Sequence, residues 1–266
     1  MSDNVDHVDH VLVTGAADGI GHAAAARYAR AGHRVTLIDI AADRLSARVD
    51  ALTAEGCTVR GEVADLADPI AVQAAVERAI AAFGAPVIGV SNAGVAPYVE
   101  LIGCDVAEWQ RVIDINMTGS FVFMQAVIRA MIDAGVRGAL CVTSSGAAFQ
   151  GRVGGGPYSA SKAGALMMAN VLAVEAGPHG IRVNSVAPGF IDHGYREGLG
   201  DFAPADYVDR AARLTPLDHR GSADDIVDAI EFLCSERAAH ITGASLRIDG
   251  AASVGQYGSA WNKEGA

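Results

Sequence analysis

Tyr158 and Lys162 stand four residues apart in the stretch PYSASK. The chain has six tyrosines and, among twenty basic residues, only two lysines, so a Tyr-x-x-x-Lys match would arise by chance in about 0.05 of such chains. If the run YSASKAGALMMANVLAVEA is a helix, the two residues share one face, and the ammonium can stand beside the phenol. A free phenol titrates at about pH 10, so a tyrosine that trades protons near neutrality needs its anion favoured, and a fixed neighbouring cation does that. The alternative is a Tyr and a Lys on a solvated helix face.

The elements that must position this pair follow an alternating pattern. Short β-branched apolar runs predict strands at 10–15, 33–39, 57–63, 86–92, 138–145, 181–188 and 244–249. Between them, Ala-rich segments of helical period predict helices at 19–31, 41–54, 69–83, 105–133, 157–177 and 222–235. Buried strands alternating with helices make β-α-β units. The expected fold class is therefore α/β, a Rossmann-like doubly wound parallel sheet of about seven strands with helices on both faces. Ligands of such sheets bind outside the carboxyl ends of the strands.

Length and composition set the frame. At 266 residues and 51% hydrophobic, the chain is expected to form one domain, with residues 1–9 a flexible tail and 252–266 a C-terminal tail. The segment 190–216 breaks the alternation with Phe190, Tyr195, Phe202 and Tyr207 amid Gly, Asp and Pro; it suits a substrate lid or an irregular surface loop. A net charge of −11 with no basic cluster argues against nucleic acid as a partner. The acidic start MSDNVDHVDH and the lack of a long uninterrupted apolar stretch argue against a leader and a membrane span, which suits the cytoplasm. Cys57, Cys104, Cys141 and Cys234 have no C-x-x-C spacing, so reduced thiols are expected and no metal site. His7 and His10 are read as part of the solvated leading tail, with capture of a metal as the alternative.

The first strand runs into TGAADGIG, where Gly15, Gly19 and Gly21 allow a tight turn, close approach of a pyrophosphate to backbone N–H groups and close helix packing. Asp18 and Ile20 lie in the same loop. The second strand ends at Asp39, where a carboxylate can accept from an adenosine ribose and repel a 2′-phosphate; Ile40 offers no cation for one. The expected cofactor is therefore NAD (NADH).

Through these and further motifs, the chain resembles the short-chain dehydrogenase/reductase family over residues 10 to 251. TGAADGIG resembles its TGxxxGxG loop, and Asp65-Leu66 in DLAD its adenine-contacting segment. Asn92-Ala93-Gly94 in SNAG resembles its NNAG turn, and Pro188, Gly189 and Ile191 its PG turn after the sixth strand. Asn116 and Ser145 match the family's catalytic Asn and Ser, completing a tetrad with Tyr158 and Lys162. The resemblance implies that Tyr158 exchanges the alcohol proton, and that Lys162 favours the phenolate and holds the nicotinamide ribose. Ser145 would donate to the substrate oxygen and Asn116 would hold a water for proton relay. It also implies a homo-oligomer, a tetramer, built through the 105–133 and 157–177 helices, the late helix and the last strand. The expected reaction interconverts a secondary alcohol and its ketone with NAD; the alternatives are an NADPH-preferring carbonyl reductase and a scaffold that binds NAD without turnover.

Three positions depart from the pattern: Ser91 for the first Asn of NNAG, His193 where a Thr is usual, and Ala251 for the second Gly of D-G-G. His193 can meet the carboxamide, the substrate or solvent. Val95, Ala96, Ala147, Gln150, Pro188, Phe190, His193 and Tyr195 are the candidate lining of a mostly apolar substrate pocket. Arg152 suits either a substrate carboxylate or an exposed surface.

Overall fold

Alternate residues of each strand feed opposite faces of one sheet. Val11 and Val13 pack into one core with Val35, Leu37, Ile226 and Ile230, while Leu12 enters the other with Ile38, Phe123, Val127 and Ala165. Apolar side chains on both strand faces require helices on both sides, and parallel strands supply them through their crossovers. The computed structural model describes residues 9–192, 215–217 and 219–255.

Nine strands are described: β1 (His10–Thr14), β2 (Arg34–Asp39), β3 (Val59–Val63), β4 (Ile88–Ser91), β5 (Gly138–Thr143), β6 (Ile181–Pro188), β7 (Ile191–Asp192), β8 (Gly221–Ser222) and β9 (Ser245–Ile248). The α-helices among the described residues are α1 (Gly19–Arg30), α2 (Ala42–Ala54), α3 (Pro69–Phe83), α4 (Val106–Ile113), α5 (Ser120–Asp133), α6 (Gly156–Ala176) and α7 (Ala223–Cys234). The main sheet has seven strands in the order β3-β2-β1-β4-β5-β6-β9, with all neighbours parallel. The short strands β7 and β8 pair separately. The strand order reverses at β1, so the loops leaving the carboxyl ends of β1 and β4 part to either side and leave a crevice.

The seven expected strands all form. The expected helix 105–133 forms as Val106–Asp133, with one departure: α4 and α5 are joined by a π-helical turn, Asp114–Gly119, that carries Asn116. Its glycine explains the close fit there, since a Cβ on Gly119 would collide with the Leu66 carbonyl. The stretch Val106–Asp133 is apolar and long enough to cross a membrane, yet Phe123, Met124, Val127 and Met131 face the sheet and are fully buried. Most of the 190–216 segment and all but residue 9 of the leading tail lie outside the described residues.

Arginines fasten two parts of the fold in ways that spacing gives no hint of. Arg182 on β6 donates to the carbonyls of Leu233, Cys234 and Ser235, closing the open end of α7. On the edge strand β3, Glu62 is 5% exposed and pairs with Arg60 and Arg78. Ala251, the departure from D-G-G, takes φ 74°, the one positive value among described non-glycine residues, where an L side chain costs about 1 kcal/mol.

His10 corrects the tail reading. It opens β1, is 1% exposed, and bonds the Gly84 carbonyl through Nδ1 (2.8 Å) and Thr36 Oγ1 through Nε2 (2.9 Å). Burial, against the opposing pull of the Gly84 carbonyl and aided by Arg34 and Arg60, lowers its pKa from 6.5 to about 4. The unfolded chain thus takes up the proton first, and this stabilising effect is full above pH 6.5 and lost as pH falls toward 4. Compared with His10→Gln in urea titrations, the parent is expected to lose about 2 kcal/mol more on passing from pH 7 to pH 5, at 1.36 kcal/mol per unit. A pH-independent gap between the two would refute the neutral, buried assignment.

Candidate active site

The crevice is a cleft of about 510 Å³ that runs from the loop after β1 to the start of α6. Its first end is built on close backbone approach. Gly15 has φ 67°, and a Cβ there would come within 2.8 Å of Ala93 Cα; Gly19 has φ 54°. A Cβ on Gly21 would strike the Gly15 carbonyl and stand 2.6 Å from Asn92 Nδ2. The Thr14 hydroxyl accepts from the N–H groups of Asn92 (3.0 Å) and Ala93 (3.1 Å), tying the SNAG turn to the glycine loop. Asp18 caps α1 by accepting from Gly19 N at 2.8 Å.

Asp39 is held at both oxygens. Oδ2 accepts from Ala17 N (3.0 Å) and Oδ1 from Ala41 N (2.9 Å), which fixes the carboxylate at the lip of the cleft and leaves each oxygen a further lone pair. Arg44, which the sequence pattern did not single out, lines the same end, with Nη1 3.9 Å from Asp18 Oδ2.

The other end hangs on the last residue of β5, Thr143, and on Ser144 and Ser145 just beyond it. Lys162 is 5% exposed, and its Nζ donates to the Thr143 carbonyl at 2.8 Å. Ser144 Oγ donates to the Lys162 carbonyl at 3.0 Å, and Ser145 Oγ accepts from Ala147 N at 3.1 Å, which leaves the hydroxyl proton of Ser145 free to donate. The ammonium lies 5.9 Å from the centroid of the half-buried Tyr158 ring. The i, i+4 spacing thus does bring the pair onto one face of α6.

Asn116 is fully buried and acts on the turn. Its Oδ1 accepts from Val95 N (2.8 Å), and its Nδ2 donates to the Val95 carbonyl (2.9 Å) and to Ser161 Oγ (3.0 Å). These bonds occupy both amide protons, so the side chain has no donor left for a relay water. A Cβ on Gly94 would stand 3.0 Å from Asn116 Oδ1 and 3.3 Å from Lys162 Nζ, so glycine keeps the floor of the cleft open. Ser91 replaces an amide with a hydroxyl that donates to Ser120 Oγ at 3.0 Å, a pairing internal to the core.

Of the residues singled out, Gly15, Asp18, Ile20, Asp39, Ile40, Asp65, Leu66, Asn92, Ala93, Gly94, Val95 and Ala96 line this one cleft. Ser145, Tyr158, Lys162, Pro188, Gly189 and Ile191 line it as well. Gly19, Gly21, Asn116, Ala147 and Phe190 are not in its wall, and Gln150 is exposed. His193 and Tyr195 lie outside the described residues. The wall also includes Ala17 of the glycine loop, and Arg111, Ile115, Thr143 and Ser144, which the sequence reading did not single out. The glycine-lined floor, the two-point-held carboxylate and the elongated cleft fit a dinucleotide.

Burial lowers the Lys162 pKa from 10.5 to about 8. Below pH 8 the folded and unfolded chains are both protonated and the cost of burying the charge is complete; between pH 8 and 10.5 only the folded chain releases its proton, so stability rises with pH through that window. Removing the amine removes this dependence. Lys162→Met is therefore expected to lead the parent in thermal or urea stability at pH 7, and that lead should shrink by about 2 kcal/mol by pH 10. A gap that stays constant with pH would show that the amine is not buried as a cation.

Comparison with known proteins matches the geometry. The family model described as Enoyl-(Acyl carrier protein) reductase matches residues 15–253. The chain is 35% identical over 249 residues to the (3R)-3-hydroxyacyl-CoA dehydrogenase of Canis lupus familiaris, spanning 90% of this chain and 94% of that protein. It is 36% identical over 245 residues to the L-rhamnose 1-dehydrogenase (NAD(P)(+)) of Sphingomonas sp. (strain SKA58), spanning 90% and 94%. The crystal structure of levodione reductase superposes with a TM-score of 0.85 at 29% identity, over 92% of this chain and 98% of that one. With the family model covering most of the chain and relatives above 30% identity over 94% of their length, this protein belongs to the short-chain dehydrogenase/reductase family, oxidoreductases that use nicotinamide cofactors.

Proposed function

We propose that the protein is an NAD-dependent oxidoreductase that interconverts a secondary alcohol and its ketone. The observation that carries this reading is that Ser145, Tyr158 and Lys162 open onto the same cleft as Asp39 and the glycine loop. A nicotinamide cofactor held in this cleft would provide the hydride chemistry. Tyr158 exchanges the proton of the substrate oxygen, and the free hydroxyl proton of Ser145 donates to that oxygen as it gains charge. Lys162 holds the ribose and favours the phenolate. Asn116 is a positioning residue that keeps Val95 and Ser161 in place around them.

Asp39 supports NAD because its carboxylate, pinned by two amides, cannot swing away from a 2′-phosphate. A second reading, an NADPH-preferring carbonyl reductase, draws support from Arg44, a cation at the same end of the cleft. We further propose a homo-oligomer: Met167, Val171 and Val174 are 59%, 48% and 78% exposed and form one apolar stripe along α6.

Tyr158→Phe is expected to keep the fold and cofactor affinity while lowering turnover by about two to four orders of magnitude, measured with secondary alcohols by the absorbance of the reduced cofactor. Near-parental turnover would overturn the mechanism. The parent is expected to favour NAD over NADP by about tenfold or more in kcat/KM, equivalent to about 1.4 kcal/mol, and Asp39→Ala with Ile40→Arg should shift the ratio toward NADP. A parent that prefers NADP would establish the second reading and give Arg44 the deciding role.

A further inference from the structure

The carboxylates of the cleft gather toward one end. Its acidic wall residues, Asp18, Asp39 and Asp65, belong to the loops after β1, β2 and β3. The cations of the wall are Arg44 beside Asp18, Arg111 on α4, and, at the other end, the buried Lys162 beside Ser145 and Tyr158. Beside this end stands Arg152, in the segment that joins the 3-10 turn after Ser145 to α6. Its guanidinium carbon lies 5.9 Å from the centroid of the Tyr158 ring and 6.0 Å from that of Phe190. It is exposed, and among the described residues no carboxylate pairs with it.

We infer that Arg152 reads a carboxylate on the substrate, and that the substrate class is short oxo acids and the matching hydroxy acids. The inference rests on the dehydrogenase reading above and narrows it. Two aromatic rings flank the guanidinium at about 6 Å, one of them the ring whose oxygen meets the substrate, so the cation is held near the reacting carbonyl before the ligand arrives. A carboxylate matches the guanidinium fork with two parallel charge-assisted bonds. Because the cation lies beside the Tyr158 ring itself, the carboxylate must lie only a few bonds from the carbonyl that the phenol serves. A phosphate at the far end of a long carrier is too remote for this contact. The overall charge of −11 gives such an anion no general attraction, so a local cation is what allows it to enter.

The test uses pairs that differ only in charge: 2-oxobutanoate, 3-oxobutanoate and 4-oxopentanoate, each beside its methyl ester, reduced by the full-length parent, Arg152→Lys and Arg152→Met. For at least one pair the parent is expected to reduce the acid with a kcat/KM about a hundredfold above that of its ester, roughly the value of one well-placed charged hydrogen-bonded pair. Arg152→Met should bring the ratio toward one, mainly through KM of the acid, and Arg152→Lys should fall between, since a point charge replaces the fork. If Arg152 acted only on the phenol, Arg152→Met would slow acid and ester by the same factor, and that outcome overturns the inference. An acid-to-ester ratio at or below one in the parent overturns it too, while turnover of the esters leaves the dehydrogenase reading standing. No turnover of any pair, with Tyr158→Phe indistinguishable from the parent, overturns both.

Discussion

A charged amine buried against a single backbone carbonyl is costly, and the catalytic end of this molecule is arranged around that cost. Lys162 can be held there only because α6 is fastened to the end of β5 at successive residues. Thr143 offers its carbonyl to the ammonium, Ser144 bonds the backbone of Lys162 itself, and Ser145 folds the next turn back over the strand end. The same fastening sets where Tyr158 stands, since it lies one helical turn earlier. On the opposite side, glycine at position 94 leaves the space that the ammonium borders, and Asn116 clamps the neighbouring residue so the space persists. The chemistry and the cost of burying a charge are thus located in the same few residues.

The dinucleotide end follows a different rule. There the chain replaces side chains with backbone, through glycines that let three loops meet, and uses short polar residues to hold those loops together. Thr14 gathers two amides of the SNAG turn, and Asp39 gathers one amide from each of two segments. A carboxylate so employed has both a structural and a recognition task, and a substitution at Asp39 disturbs the glycine loop as well as the ribose subsite.

Most of the architecture was legible in the sequence because parallel strands buried on both faces must be short, continuous and apolar, and because Gly and Pro mark their ends. Val11 to Val13 and Val35 to Ile38 show why: each residue in turn serves one core or the other, so no polar alternation blurs the signal. The spacing of Tyr158 and Lys162 was legible because a helix turns i and i+4 to one side. The π-helical turn at Asn116 was not, since an inserted residue in a helix leaves the apolar pattern nearly intact on both sides. Nor was the burial of His10, which looks like tail until its partners on β2 and after α3 are in place. The arginines were least legible of all. Arg44, Arg152 and Arg182 reach their partners over distances that no local period encodes, and their roles depend on which strand or loop the fold brings beside them. His193 and Tyr195 fall outside the described residues, so the pocket ascribed to them stays a reading of the sequence.

The wall of the cleft at Pro188 and Gly189 leans on a part of the chain made some sixty residues later. Gly189 N donates to the Ile248 carbonyl, and a Cβ at 189 would come within 2.7 Å of Asp249 Cα. On a ribosome, the six strands from β3 to β6 can assemble while β9 is still inside the exit channel, and β6 then presents a bare row of amides and carbonyls to its surroundings. The interval before Ser245–Ile248 emerges is when this protein is most open to pairing with a wrong strand.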